Sequence, residues 1–577
     1  MNQAELVKAL REQMPPDDEI MTGAAPAEEP EKKKTTQAEH LLQLVDASGA
    51  SFFRTTENEL YSTIPACGHT EIWQLEGRDF KTWLSGLYYR ETGRAINNDA
   101  VVQVLTVLSA KARFDDPNTI QLSTRVAERD GAFWYDLTNE QWQAVKITSD
   151  GWAVSDSPPI LFTRYRHQAA QPLPQPGGDV RKIARHINLK DQRTLFLCWL
   201  VSCFIPGIPH PMPIFYGEKG AAKSTACGLL KTLIDPSALE TLTLQSDPRT
   251  MAVNLQQHYF LPFDNVSHIN EEMSDTLCRA ITGGGIQQRK LFTNADDHIF
   301  TFQRCLAING INNVATRPDL LDRSLLVELE RISDTERREL SEIQRAFQED
   351  RPAILGGILD TLSAAMRIYP SVRLDRLYRM ADFTRWGYAI GEALGGRGRR
   401  FLEEYDANRE SQNTEAINSD PVATLIVEFM RGRSAWDGTV AELYRELSAI
   451  AADHNISVKS KAFPDAPARL GKRINGIKSN LEAVGVFTER RHTMGGSYLS
   501  FGREKLPSLL SYRHNSSNTK ALGHDSSMTV NDGKESTVMV TVMPKPLQIL
   551  GSDSNDSNDG KIVPFTEGLP KGRTVRL

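Results

Sequence analysis

Cysteine is scarce: six residues in 577, at Cys67, Cys198, Cys203, Cys227, Cys278 and Cys305, with no C-x-x-C pair. Four lie in apolar runs, where the thiol behaves as a small hydrophobe. The spacing excludes a disulfide framework and a cysteine-rich zinc site, and Cys67-Gly68-His69 reads as a turn. Long hydrophobic runs are also missing. The longest, residues 195–208, is too short to cross a bilayer and is broken by Pro206 and Pro209. The N-terminus lacks a secretory signal pattern, which points to a cytoplasmic protein with no membrane partner. Neither sign of charge dominates: 67 Lys+Arg face 73 Asp+Glu, net −6, so any nucleic-acid contact needs a local basic surface.

What is present is an ordinary globular composition over a length that calls for about three or four domains at roughly 100–200 residues each. Residues 1–38 have little to bury and read as disordered. Residues 39–180 read as an α+β domain, with helical spacing at 80–89 and 100–112 and strand patterns at 119–127, 133–137 and 144–148. Pro-Leu-Pro-Gln-Pro-Gly-Gly at 172–178 marks a linker. Between 181 and 334, apolar strands at 213–216, 258–264, 305–309 and 325–329, with an edge strand at 242–245, alternate with helices such as 222–234. That order predicts a parallel sheet between helices. Residues 335–418 are helical, punctuated by Gly356-Gly357 and Gly395-Gly396. Residues 419–505 run through three helices to a hairpin at Gly495-Gly496, the order of a winged helix. Residues 506–577 form a Ser/Asn/Asp/Gly tail that reads as disordered.

The chemistry concentrates at Gly217-Glu218-Lys219-Gly220-Ala221-Ala222-Lys223-Ser224-Thr225, between a strand and a helix. A phosphate loop needs small residues whose N–H groups point inward, a lysine for the outer phosphates and a hydroxyl for magnesium. Gly217, Gly220, Ala221 and Ala222 meet the first need, Lys223 the second and Ser224 the third. Ala222 stands where glycine is usual, and a helical backbone there tolerates its methyl group. Asp264 closes a buried strand as a magnesium carboxylate would. Asn265 follows, where an acid base is common; an amide positions water but takes no proton. Either hydrolysis is slow or the base comes from elsewhere, with Glu271, Glu272 and Asp275 nearby. Asn309 closes the next strand, placed to hold the attacking water. Arg323 precedes the strand after that, where it either reaches a neighbouring subunit's nucleotide or pairs with Asp319 and Asp322.

The order of phosphate loop, Asp264, a hairpin (Thr282-Gly-Gly-Gly-Ile-Gln-Gln-Arg289-Lys290), Asn309 and Arg323 resembles the superfamily 3 type of AAA+ helicase ATPases. The form Gly-Glu-x-Gly-x-Ala-Lys-Ser-Thr with Asp264-Asn265-Val266-Ser267 is similar to ATP-binding proteins of bacterial prophages and integrated mobile elements. The resemblance implies an α/β fold with an AAA+ core, a helical lid and a hexameric ring, with ATP and Mg²⁺ at subunit interfaces and DNA in the pore. By the same resemblance Lys223 and Ser224 hold nucleotide and metal, Asn309 orients water, and Arg323 is a trans finger. Arg379 is the lid arginine in competition with Arg376 and Arg385. Arg289, Lys290 and His298 are the hairpin's DNA contacts, beside an acidic tip at 294–297 that departs from the pattern.

Arg469, Lys472 and Arg473 on one helix, with Arg490 and Arg491 at the hairpin, form a basic surface suited to DNA phosphates or to a protein partner. The expected function is an ATP-dependent DNA helicase or replication-initiation motor, acting on single-stranded or forked DNA with replication partners. The alternatives are an ATP-binding switch or loader, or a defence NTPase, that assembles without unwinding.

Overall fold

The computed structural model describes residues 35–503 except 67, 116–117, 290–296, 311–316, 455, 459–462 and 494–495. The readings of residues 1–34, Lys290, the hairpin tip and the 506–577 tail lie outside the described residues.

The first core is small. Helix α1 (Gln37–Ala47) starts at a capping box between Thr36 and Glu39. With α2 (Arg78–Thr92) and α3 (Asn98–Phe114) it covers a sheet of order β3-β2-β1-β4, built from β1 (Ser51–Thr55), β2 (Leu60–Ala66), β3 (His69–Gln74) and β4 (Thr119–Ile120). The expected strand over 119–127 is broken. Arg125 adopts φ 65°, a left-handed turn that separates β4 from β5 (Val126–Arg129).

The antiparallel sheet β5-β6-β7-β8 continues with β6 (Ala132–Asp136), β7 (Ala144–Thr148) and β8 (Gly151–Ser155). Its Phe133, Tyr135, Val145 and Ile147 belong to the same hydrophobic core as residues 180–416. The expectation of one domain over 39–180 is therefore corrected: 38–112 form one core, and this second sheet packs into the next. The expected linker at 172–178 is likewise packed. A Cβ on Gly356 or Gly178 would meet Gln175 O at 1.7 Å or Ala353 O at 1.9 Å, so the strap lies directly on a helix backbone. Gly356-Gly357 thus lie inside a helix and admit the strap.

The central sheet is fully parallel, in the order β10-β13-β9-β14. It comprises β9 (Met212–Tyr216), β10 (Phe260–Phe263), β13 (Cys305–Asn309) and β14 (Ser324–Glu328). Strands β10 and β13 are buried throughout, as continuous apolar runs covered on both faces must be. The expected edge strand at 242–245 shrinks to one bridge, Leu242 with Phe263. Around the sheet stand α4 (Arg193–Ser202), α5 (Lys223–Ile234), α6 (Pro248–Gln257), α7 (Glu271–Thr282) and the short α8 (Pro318–Leu321). Between β10 and β13 rises a hairpin of β11 (Gly284–Arg289) and β12 (Asp297–Phe302). Helices α9 (Leu340–Ile368), α10 (Ala381–Ala393) and α11 (Gly398–Ser419) follow, with Gly395-Gly396 joining the last two.

A third core joins α12 (Pro421–Phe429), α13 (Val440–Ala451) and α14 (Pro467–Ala483) to a three-stranded sheet, β15-β17-β16. It contains β15 (Ala435–Thr439), absent from the sequence reading, and the hairpin of β16 (Phe487–Thr493) with β17 (Gly496–Gly502). No helix among the described residues is long and apolar enough to cross a membrane.

Candidate functional site

Strand β9 runs directly into the loop 217–222, and α5 begins at Lys223. Gly217 at φ 142° and Gly220 at φ 90° take conformations that side chains rarely adopt. Ala222 departs from the expectation of a helical backbone: it sits at φ 55°, left-handed, where its methyl group costs about 1–2 kcal/mol. Lys223 Nζ donates to Gly217 O at 2.8 Å and Glu218 O at 3.1 Å, folding the lysine over the loop it follows. Ala221 is buried beneath, while Glu218, Lys219 and Ser224 are exposed and Thr225 is half-buried.

Three side chains from three elements meet beside the loop. Ser224 Oγ donates to Asp264 Oδ1 at 2.9 Å. Asn309 Nδ2 donates to the same carboxylate oxygen and lies 3.3 Å from Ser224 Oγ. Parallel pairing of β10 with β13, and of β13 with β9, brings their ends to one edge of the sheet and so brings these groups together. The backbone N–H of Asn265 donates to Asn309 Oδ1 at 3.0 Å, which fixes the amide's orientation. Asn265 itself is exposed and left-handed at φ 52°. Behind them, burial and then the charge of Asp264 push the Cys227 thiol well above its ordinary range, so it is neutral. A hydroxyl, a carboxylate and an oriented amide at a helix N-terminus suit a hydrated divalent cation and a phosphate chain. A cavity of about 310 Å³ opens from Thr225 along α5, lined by Gly228, Leu229, Glu240, Leu340 and Gln344.

Two arginines that sequence reasoning missed lie over the loop. Arg331 pairs with Glu218 at 3.4 Å. Arg337 pairs with Asp334 at 3.3 Å and packs on Gly220 so closely that a Cβ there would stand 2.7 Å from its guanidinium. Their only sequence signal was a charge run after β14, which reads as a solvated surface.

Arg379, expected at the nucleotide, is elsewhere. Its guanidinium binds Asp319 at 2.6 Å and Asp322 at 2.7 Å, and Arg323 binds Asp319 at 2.6 Å. Ser324 pairs with Met212 at the opening end of β9, opposite the loop. Arg317 pairs with Asp275 at 3.0 Å. Burial works to raise the Asp319 carboxyl, but hydrogen bonds from Arg323, Arg379 and Cys278 outweigh it and hold it at about 2.

The hairpin backbone places Arg289 opposite Asp297 and Gln288 opposite His298. Of the five basic residues expected at the C-terminal DNA surface, three are ion-paired: Arg469 with Asp465 at 2.6 Å, Arg473 with Asp420 at 2.8 Å, and Arg491 with Asp437 at 2.9 Å. Arg490 packs along buried Gly471, and Lys472 is exposed.

Residues 181–413 match the family described as actinomycete integrative conjugative element replication protein, and residues 422–508 match the C-terminal domain of that protein. No curated protein matches the sequence. Among solved structures, the chain is similar to "SCCmec type IV Cch - active helicase" at 12% identity, over 78% of this chain and 92% of that one, with a TM-score of 0.40. It is also similar to "The A form apo structure of NrS-1 C terminal region-CTR" at 12% identity, over 80% and 98%, with a TM-score of 0.35.

Proposed function

We propose that this chain is the replication ATPase of an integrative conjugative element: an AAA+ phosphate-loop motor of superfamily 3 type, carrying a helical lid and a C-terminal winged helix, that unwinds DNA as a hexameric ring. The convergence of Ser224, Asp264 and Asn309 beside the loop of Lys223 carries the reading. In it, the N–H groups of 220–225 and Lys223 cradle the phosphates of ATP, and the cavity beside Thr225 takes the nucleoside. Ser224 and Asp264 hold Mg²⁺, which neutralises phosphate charge when bound. Asn309 orients the attacking water. Arg337, from the same chain, replaces Arg379 as the cis arginine, and Arg323 serves the neighbouring subunit. The hairpin, through Arg289, Lys290 and His298, and the basic α14 with β16 contact DNA.

Asn265 favours a second reading, a nucleotide-dependent loader or switch, because an amide rather than an acid follows Asp264 and cannot accept the water's proton. Steady-state hydrolysis with and without single-stranded DNA separates the two. The motor reading expects DNA-stimulated turnover that Lys223→Ala lowers about 10²-fold or more. Tight ATP binding with no turnover under either condition leaves the switch.

A further inference from the structure

We propose that Arg379 acts in trans beside Arg323, the two guanidinium groups forming one clamp for the phosphates held by a second copy of this chain. The inference rests on the shared-site reading of Arg323 and extends it to a residue otherwise assigned to the chain's own nucleotide.

Position comes first. The N–H of Met212 donates to Arg323 O at 2.9 Å, so Arg323 stands at the entrance to β9, and five strand residues separate it from the phosphate loop. At about 3.3 Å per residue that is roughly 16 Å. Arg379, tied to Asp319 and Asp322, shares that end, and neither arginine can serve its own loop.

Chemistry comes second. One carboxylate, Asp319, receives both guanidinium groups, an arrangement that holds two forks side by side. Arg323 Nε is buried without a hydrogen-bond partner among the described residues, so the outward face of this guanidinium is its terminal nitrogens. Next to Arg379, Tyr378 lies between Arg376 at 5.3 Å and Arg409 at 4.7 Å, and neither of these has an ion-pair partner among the described residues. The loop edge of a second copy would offer the matching charge through the triphosphate it holds.

Mixing two inactive proteins tests this. Lys223→Ala keeps the arginines and loses the loop lysine; Arg379→Ala does the reverse. Each alone is expected to fall about 10³-fold in ATP turnover. Mixed in equal amounts, one interface in four is complete, so turnover returns to about a quarter of wild type per subunit. Arg323→Ala with Lys223→Ala is the parallel pair. If that pair recovers and the Arg379 pair does not, the trans role of Arg379 is overturned while the shared site stands. If neither recovers in verified mixed oligomers, both fall. An Arg379→Ala protein with wild-type turnover also overturns the proposal. Arg379→Lys keeps the charge without the fork. It should melt as wild type yet lose at least about tenfold in turnover, which excludes misfolding as the cause.

Discussion

Two residues beside the phosphate loop owe their identity to backbone as much as to chemistry. Asn265 reads in sequence as an acid lost from a catalytic position. In the fold it sits at φ 52°, a conformation that asparagine tolerates better than glutamate, and its N–H fixes the Asn309 amide. Ala222 has no such excuse: alanine pays the left-handed penalty at φ 55°. Ala222→Gly should relieve about 1–2 kcal/mol of strain and give back about 0.4–1 kcal/mol in unfolded-chain entropy. The expected result is a slightly higher melting temperature with undiminished ATP affinity. A lower melting temperature would mean that the left-handed turn is not strained in solution. The loop, Asp264 and Asn309 were legible because each is a local pattern of a few residues. Conformation at one residue was not, since φ at 222 is set by what the strand and helix on either side demand.

Among elements, the far end of α5 is closed by side chains distant in sequence, Tyr135 on β6 and Arg125 and Gln171 from loops. The last carbonyls of a helix lack intrahelical partners. Here Gln171 donates to Leu233 O at 2.6 Å and Tyr135 to Ile234 O at 3.0 Å, and just past the helix Arg125 donates to Pro236 O at 3.3 Å. Arg125 also pairs with Asp235 at 2.9 Å, and Lys231 pairs with Asp235 at 2.7 Å, with all three side chains sealed from water. Asp235→Asn leaves two buried cations without a counter-charge and should cost about 3–5 kcal/mol in urea unfolding. A cost under about 1 kcal/mol would mean that water enters the cluster. His258 Nδ1 faces Lys231 Nζ at 3.1 Å, and burial, then the Lys231 charge, lower its pKa from 6.5 to about 3. The folded value lies below the unfolded one, so stability is complete above pH 6.5 and declines as the pH falls towards 3. By pH 5 about 2 kcal/mol should be gone. His258→Gln, which keeps an acceptor, should flatten the melting profile between pH 6.5 and 5; an unchanged slope places the titration elsewhere. None of this was readable in sequence, because Arg125 and Asp235 stand 110 positions apart. Periodicity located the strands but not which core each would join, so the second sheet was assigned to the wrong one.

At the scale of the whole molecule, the net charge of −6 conceals a partition. Residues 421–503 hold twelve Lys and Arg against eight Asp and Glu, so the rest of the chain is more acidic than the total implies. Sequence showed that basic surface, and the fold shows how much of it is already engaged. The acids pairing with Arg473 and Arg491 stand 53 and 54 positions away, Asp420 at the start of α12 and Asp437 on β15, so helical spacing could not reveal them. An arginine that must leave a carboxylate to meet a phosphate contributes less than a free one. Arg491 is the clearest case: Asp437 accepts from both Arg491 and Ser500, holding the guanidinium against the sheet. Asp437→Asn should free that charge. If β16 lies on DNA, affinity for a forked duplex rises. The dependence of log K on log salt between 50 and 200 mM, measured by fluorescence anisotropy, should also steepen by about 0.9, the contribution of one further phosphate contact. An unchanged slope with an intact fold would remove the hairpin from the DNA surface and leave Lys472 and the rest of α14 to carry it, because a cation released beside DNA cannot leave the counterion count untouched.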